Sequence, residues 1–254
     1  MSTWEVTTTG QFFRGFSSAT PLQILDVIVA PATVPMSAVA DVKLEVKVEA
    51  TGDVEARDMA LHSFERAAGI ARLAPWATQL PFSRIFELTE IVSSGSRNVH
   101  KSFPATMSIA GSTLGPAEIA AATTAATTWA ALAPHVQRRT GLALRWLDRA
   151  LNEIDPTERL ASLWIAFETL TDRKKGTAVS NGVTALQSIY PKESSRKIED
   201  AVRKVYKARN DIFHQAKLDV PKVGVRASEL CDMLSDLLDD KMGFPARIRS
   251  QAHF

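Results

Sequence analysis

The sequence predicts an α+β protein, with a strand-rich N-terminal region over residues 1–115 and an antiparallel helical bundle over 116–254. Three observations carry this expectation. Val42, Leu44, Val46 and Val48 alternate with Lys43, Glu45, Lys47 and Glu49, the period of a strand with one wet face. From Pro116 onward, apolar residues recur at helical spacing instead. That second half is cut into helix-length pieces by short connections, which favour antiparallel neighbours.

Taken in order, the first fifty residues read as strands, including the apolar run PLQILDVIVAP between two prolines. Thr51-Gly52-Asp53 has turn chemistry. VEARDMALHSFERAAGIARLAP reads as a helix ended by Pro75. FSRIFELTEIV suits either a strand or a short helix, and VSSGSRNVHK reads as a loop. The weakly polar stretch from Gly115 to Val136 carries Glu118, two prolines and many threonines, so a soluble helix is expected there and not a membrane span.

Next come helices at Leu142–Ile154 and in DPTERLASLWIAFETLTD, where Asp155 is a good N-cap, Pro156 fits the first helical position and Glu158 completes a capping box. Leu160, Trp164, Phe167 and Thr171 line one face of this helix, flanked by Leu163 and Leu170. A basic connection, DRKKGTAVSNG, leads to a short helix, VTALQSIYP, stopped by Pro191. The long helix SSRKIEDAVRKVYKARNDIFHQ has an apolar stripe of Ile198, Val202, Val205 and Ile212, and VRASELCDMLSDLLDDKM closes the bundle.

Composition excludes several classes. With 45% hydrophobic and 23% charged residues, the chain is not disordered. A single cysteine, Cys231, permits no internal disulfide, and its helical setting suits a core or interface position. MSTWEVTTTG lacks the basic start and apolar run of a secretory signal, so a cytoplasmic location is expected. There is no HExxH, no Cys/His pair at ligand spacing and no calcium loop, nor GxxxxGK[ST], GxGxxG or GxSxG, so neither metal nor cofactor is expected. Net charge is only +2, but residues 1–132 carry 9 Lys and Arg against 12 Asp and Glu, whereas 133–254 carry 21 against 16. The basic half is the helical one, which points to a polyanionic partner there.

The stretch KARNDIFHQ, Lys207 to Gln215, concentrates an arginine, an asparagine and a histidine near the end of the basic helix. At 100° per residue, Arg209 falls about 40° from Val205, at the edge of the buried stripe. His214 lies about 140° further round and about 7.5 Å along the axis, so on an ideal helix the two groups diverge. Asn210 and His214 are i,i+4 neighbours and share a face. One helix is therefore expected to supply half a site, completed by a second copy across a two-fold.

RNDIFH, Arg209 to His214, resembles the motif of the HEPN superfamily: Arg, a polar residue, three more residues, then His. The upstream helix ERLASLWIAFETLTD resembles that superfamily's acidic-aromatic helix, and the order of helices from Leu142 to Met242 is most similar to its Apea-like branch. The resemblance covers roughly the C-terminal half. RDMALH, Arg57 to His62, has the same spacing but follows strand-like sequence in the acidic half, and reads as a helix-surface coincidence.

The resemblance implies metal-independent RNA cleavage of a defence or toxin type. In it His214 is the general base for a ribose 2′-OH, Arg209 binds the phosphate, and Asn210 orients His214 or bonds the phosphate. Glu168 and Asp211 are the supporting acids, Glu168 as a partner or orienter of Arg209. Arg203, Lys204, Lys207, Arg173, Lys174 and Lys175 would contact RNA phosphates, and Tyr206 would stack a base or pack on a neighbouring helix. The implied assembly is a homodimer, with an antitoxin or sensor partner unspecified. Two rival readings are a non-catalytic HEPN-like module that binds RNA or nucleotide beside an N-terminal sensor, and a plain interaction protein whose helices dimerise.

Overall fold

Alternation along residues 42–50 builds a strand near the middle of an antiparallel sheet. The computed structural model describes residues 1–10, 21–31, 42–71, 87–93, 96–102, 124–125, 127–171, 176–215 and 220–244. Among these, six strands are ordered β2-β3-β4-β1-β5-β6. They are β1 (Ser2–Gly10), β2 (Leu22–Ile24), β3 (Val27–Pro31), β4 (Val42–Ala50), β5 (Glu87–Ser93) and β6 (Ser96–Ser102). Leu44, Val46, Val48 and Ala50 of β4 are buried, while Lys47 and Glu49 are exposed, as the alternation requires. Pairing Trp4 with Val48 and Val6 with Val46 brings β1's buried residues onto the same face. Helix α1 (Asp53–Ala71) packs on β4. It buries Ala56, Ala60, Phe64, Ala67 and Ile70, mostly small side chains that allow helix and sheet to approach closely.

Two stretches differ from expectation. The run PLQILDVIVAP folds back on itself as the β2–β3 hairpin, with Ile24 paired to Val27 around Leu25-Asp26. Leu25 takes φ +56°, a left-handed conformation that a leucine side chain disfavours, and the turn escapes a sequence reading because leucine stands where a glycine or asparagine would have marked it. The side chain of Asp26 accepts bonds from Ser63 Oγ (2.5 Å) and Arg66 Nη2 (3.0 Å) of α1. The second is VSSGSRNVHK, expected as a loop: Ser96–Ser102 is a strand, paired along its length with β5. Its Arg97, His100 and Lys101 gave no apolar alternation because β6 ends the order of described strands, where charge is the common composition. The described end of FSRIFELTEIV resolves to strand, as β5 from Glu87.

The chain divides by compactness into Met1–Ala130 and Ala131–Phe254. The boundary expected at 115/116, like the first part of the Gly115–Val136 stretch and the Pro75 helix stop, lies outside the described residues. The second unit contains α2 (Pro134–Asn152), α3 (Pro156–Thr171), α4 (Ala178–Ile189), α5 (Ser195–Gln215) and α6 (Val220–Met242). No described helix is long and apolar enough to cross a membrane.

Three helices begin earlier than their apolar periodicity does. α2 starts at Pro134, an N1 proline, and not at Leu142. α4 starts at Ala178, inside what reads as a connection, because Thr177 and Ser180 form a reciprocal capping box. α6 starts at Val220 and not at Val225. At the start of α3, Asp155 caps as expected, accepting from the N–H groups of Thr157 (2.7 Å) and Glu158 (3.2 Å), and these bonds hold its carboxyl below the usual aspartate range. Glu158 does not complete the expected box among the described contacts. It shares a hydrogen bond with the carboxyl of Glu153, whose pKa is pushed up by burial and then by this acidic neighbour.

α3 is the central helix and packs on α2, α4, α5 and α6. Leu160, Leu163, Trp164, Phe167 and Thr171 are all buried, as their spacing predicts, and the Trp164 and Phe167 rings lie 5.7 Å apart. Gly182 of α4 sits against this cluster: a Cβ there would come within 2.6 Å of Phe167 Cε1. Across the bundle, Tyr190 donates its hydroxyl proton to Asp236 of α6. Ile198, Val202 and Val205 of α5 are buried, and Ile212 is half-buried. Cys231 is a half-buried thiol on α6.

Candidate functional site

The last two turns of α5 carry Arg209, Asn210, Phe213 and His214. They are helical because nothing between Ser195 and Gln215 breaks the ladder, and they turn outward because the apolar stripe weakens after Val205. Arg209 and Asn210 are half-buried, and Phe213 and His214 are exposed.

Arg209 and His214 do not diverge. Arg209 Nη1 stands 3.5 Å from His214 Nε2, at the outer limit of hydrogen bonding. The expectation from helix angles fails because it placed Cα directions, and the arginine side chain is long enough to sweep back across the face. Two contacts hold it there. Nη1 donates to Asn210 Oδ1 at 3.0 Å, and the guanidinium lies 5.1 Å from the centre of the Phe213 ring. Asn210 therefore bonds the arginine through its Oδ1. A guanidinium can only donate, so its approach to Nε2 is compatible with that nitrogen carrying a lone pair.

No carboxylate pairs with Arg209 among the described residues, and the expected Glu168 partnership does not form. Glu168 and Asp211 are both half-buried and make no hydrogen bond or ion pair among the described residues. Nε of Arg209 is buried with no protein acceptor. The site thus presents, among the described residues, a cation without a carboxylate partner next to an imidazole.

The surrounding basic residues separate. Arg203 is tied to Glu199 (2.6 Å, i,i+4), as a solvated helix face would have it. Lys204 and Lys207 are exposed and have no partner among the described residues. Tyr206 packs on Trp164, ring centres 5.5 Å apart, yet stays 36% exposed. Arg173, Lys174 and Lys175 lie outside the described residues.

Sequence reading missed Phe213, which stands 54% exposed beneath the guanidinium. The signal was present, since Arg209 and Phe213 are i,i+4 and an exposed aromatic there has an arginine in reach. Arg57 and His62, the second match to the same spacing, are both exposed on α1. No protein-family model matches the chain, and neither a curated protein nor a solved structure does.

Proposed function

We propose that the helical unit is a metal-independent endoribonuclease of defence or toxin type, working as a homodimer with its site at the end of α5. The supporting observation is the 3.5 Å approach of Arg209, which has no carboxylate partner among the described residues, to the exposed His214. In the proposed reaction His214 Nε2 takes the proton of a ribose 2′-OH, and O2′ attacks the adjacent phosphorus. Arg209 holds the non-bridging oxygens as charge builds on them. The P–O5′ bond breaks, and the leaving oxygen takes a proton from the second protomer's imidazolium. The products are a 2′,3′-cyclic phosphate and a 5′-hydroxyl, so DNA is not a substrate. Asn210 and Phe213 keep the guanidinium in place, which matters because a misplaced cation stabilises the transition state little.

The test is cleavage of a single-stranded RNA by purified full-length protein in EDTA, with product ends identified by mass spectrometry. His214→Ala is expected to lower the rate at least about a hundredfold, with helix content unchanged. Arg209→Lys keeps the charge but loses the planar fork, and is expected to lie between the wild type and Arg209→Ala. Undiminished cleavage by His214→Ala, or cleavage abolished by EDTA, refutes the mechanism. Retained RNA binding without any cleavage would leave a non-catalytic RNA-binding bundle.

A further inference from the structure

We infer that the outward face of α2 is a binding track for the phosphate backbone of single-stranded RNA. This deepens the ribonuclease reading by naming a substrate surface on a second helix of the same unit, and it rests on that reading only for the choice of RNA. At 100° per residue, His135, Arg138, Leu142, Arg145, Trp146 and Arg149 fall within about 100° of arc, and Arg139 borders them. The other side of α2 buries Thr140, Ala143, Leu144, Leu147 and Ala150. The helix has one carboxylate, Asp148, which is 2% exposed and lies on that buried side.

An ordinary solvated helix face mixes signs, as α5 does where Arg203 meets Glu199. The outward face of α2 carries three arginines and a histidine with no acid over nineteen residues. Arg138, Arg145 and Arg149 form a row about 16 Å long, each with a planar donor fork suited to phosphate oxygens. Arg138 is exposed and has no partner among the described residues. Arg145 and Arg149 also have contacts within the protein, which restrict their freedom before a ligand arrives. The guanidinium of Arg149 lies over Trp146, 5.2 Å from the ring centre. A cation stacked on an indole beside a row of arginines combines the two elements of sequence-tolerant strand binding, an electrostatic track and a stacking platform. Arg139 is not counted in the track, since its Nε donates to Thr169 O at 2.9 Å and ties α2 to α3.

The test uses full-length protein carrying His214→Ala, so that RNA is not consumed. Its affinity for a fluorescein-labelled 20-nucleotide oligouridylate is measured by anisotropy across a salt series. In that background Arg138→Gln/Arg145→Gln/Arg149→Gln is expected to reduce the salt slope by about 2, roughly 0.7 per lost phosphate contact, and to weaken binding more than tenfold at low salt. Trp146→Ala is expected to weaken it roughly tenfold. Arg138→Glu, which alters one exposed side chain, keeps the test valid should the triple variant unfold, and is expected to lower the slope by about 0.7 with an unchanged melting temperature. Unchanged slopes, absence of RNA binding, or the same arginine-dependent binding to phosphatidylserine vesicles but not to RNA would overturn the inference. Binding that depends on α2 in a protein whose wild type cleaves nothing would sustain it while refuting the ribonuclease. Cleavage with α2-independent binding would do the reverse.

Discussion

Gly182 and Gly224 are both helical glycines, and the same substitution should move stability in opposite directions at the two sites. At Gly182 a Cβ meets Phe167 Cε1 at 2.6 Å and Cζ at 2.7 Å. Ordinary carbon contacts begin near 3.4 Å, so the overlap is 0.8 Å, the difference between 3.4 and 2.6. The ring cannot swing aside, because Phe167 is fully buried and packed on Trp164. Forcing a methyl into such a site costs about 1–3 kcal/mol, and the rigidity of the ring puts this case at the upper end. Alanine recovers about 1 kcal/mol of helix propensity, leaving Gly182→Ala destabilised by about 2 kcal/mol. At Gly224 nothing lies within 4 Å of the added carbon, so only the favourable contribution remains, about 0.5–1 kcal/mol. With about 4 °C per kcal/mol for a unit of this size, thermal unfolding followed by circular dichroism should show Gly182→Ala melting about 10 °C below Gly224→Ala. Equal melting temperatures, or Gly182→Ala the higher, would show that α4 does not press on α3 as described. Val202 of α5 is also within 3.6 Å of the added carbon, so the perturbation should reach the helix that carries Arg209 and His214.

Two further expectations concern the junction between α2 and α3. Asp155 has its pKa lowered by the N–H groups it caps, so its contribution to stability is present above the ordinary aspartate value and is lost as pH falls through the lowered folded value. Asp155→Ala should therefore melt lower than wild type at pH 7, with the gap closing in strong acid; a gap independent of pH would mean that the carboxylate does not cap. Glu153 has its pKa raised by burial and by Glu158, so it favours the fold when protonated and loses that contribution as pH rises through the folded value. Glu153→Gln should thus raise the melting temperature at pH 7 and be neutral below pH about 4, and a drop at neutral pH would refute this.

Legibility from sequence followed whether one residue's neighbours decide its role. β4 could be read because every second side chain meets the same buried layer, and α3 because Leu160, Trp164 and Phe167 all reach the core. The early turns of α2, α4 and α6 could not, since they carry no sustained apolar periodicity and announce themselves through Pro134, the Thr177–Ser180 cap and Pro221 instead. β6 was invisible for a related reason, its residues being chosen for a sheet margin. At the site, the motif located Arg209 and His214, but an angular argument separated them. What brings them together is side-chain length and an aromatic one turn away, neither of which enters a helical wheel. The basic residues near them read alike in sequence, yet Arg203 is internally paired while Lys204 and Lys207 have no partner among the described residues.

The β2–β3 hairpin has an implication for the order in which the first unit assembles. Its two strands are adjacent in the chain, and local hairpins ordinarily close early because little loop entropy opposes them. Here the connecting pair includes a leucine in a left-handed conformation, so closure alone is uphill. The compensating bonds come from Ser63 and Arg66, 37 and 40 residues after Asp26. A contact that is short-range in sequence is thereby made conditional on a long-range one. The hairpin is thus a weaker nucleus on its own than its short loop suggests, and it gains stability once α1 is in position on the sheet.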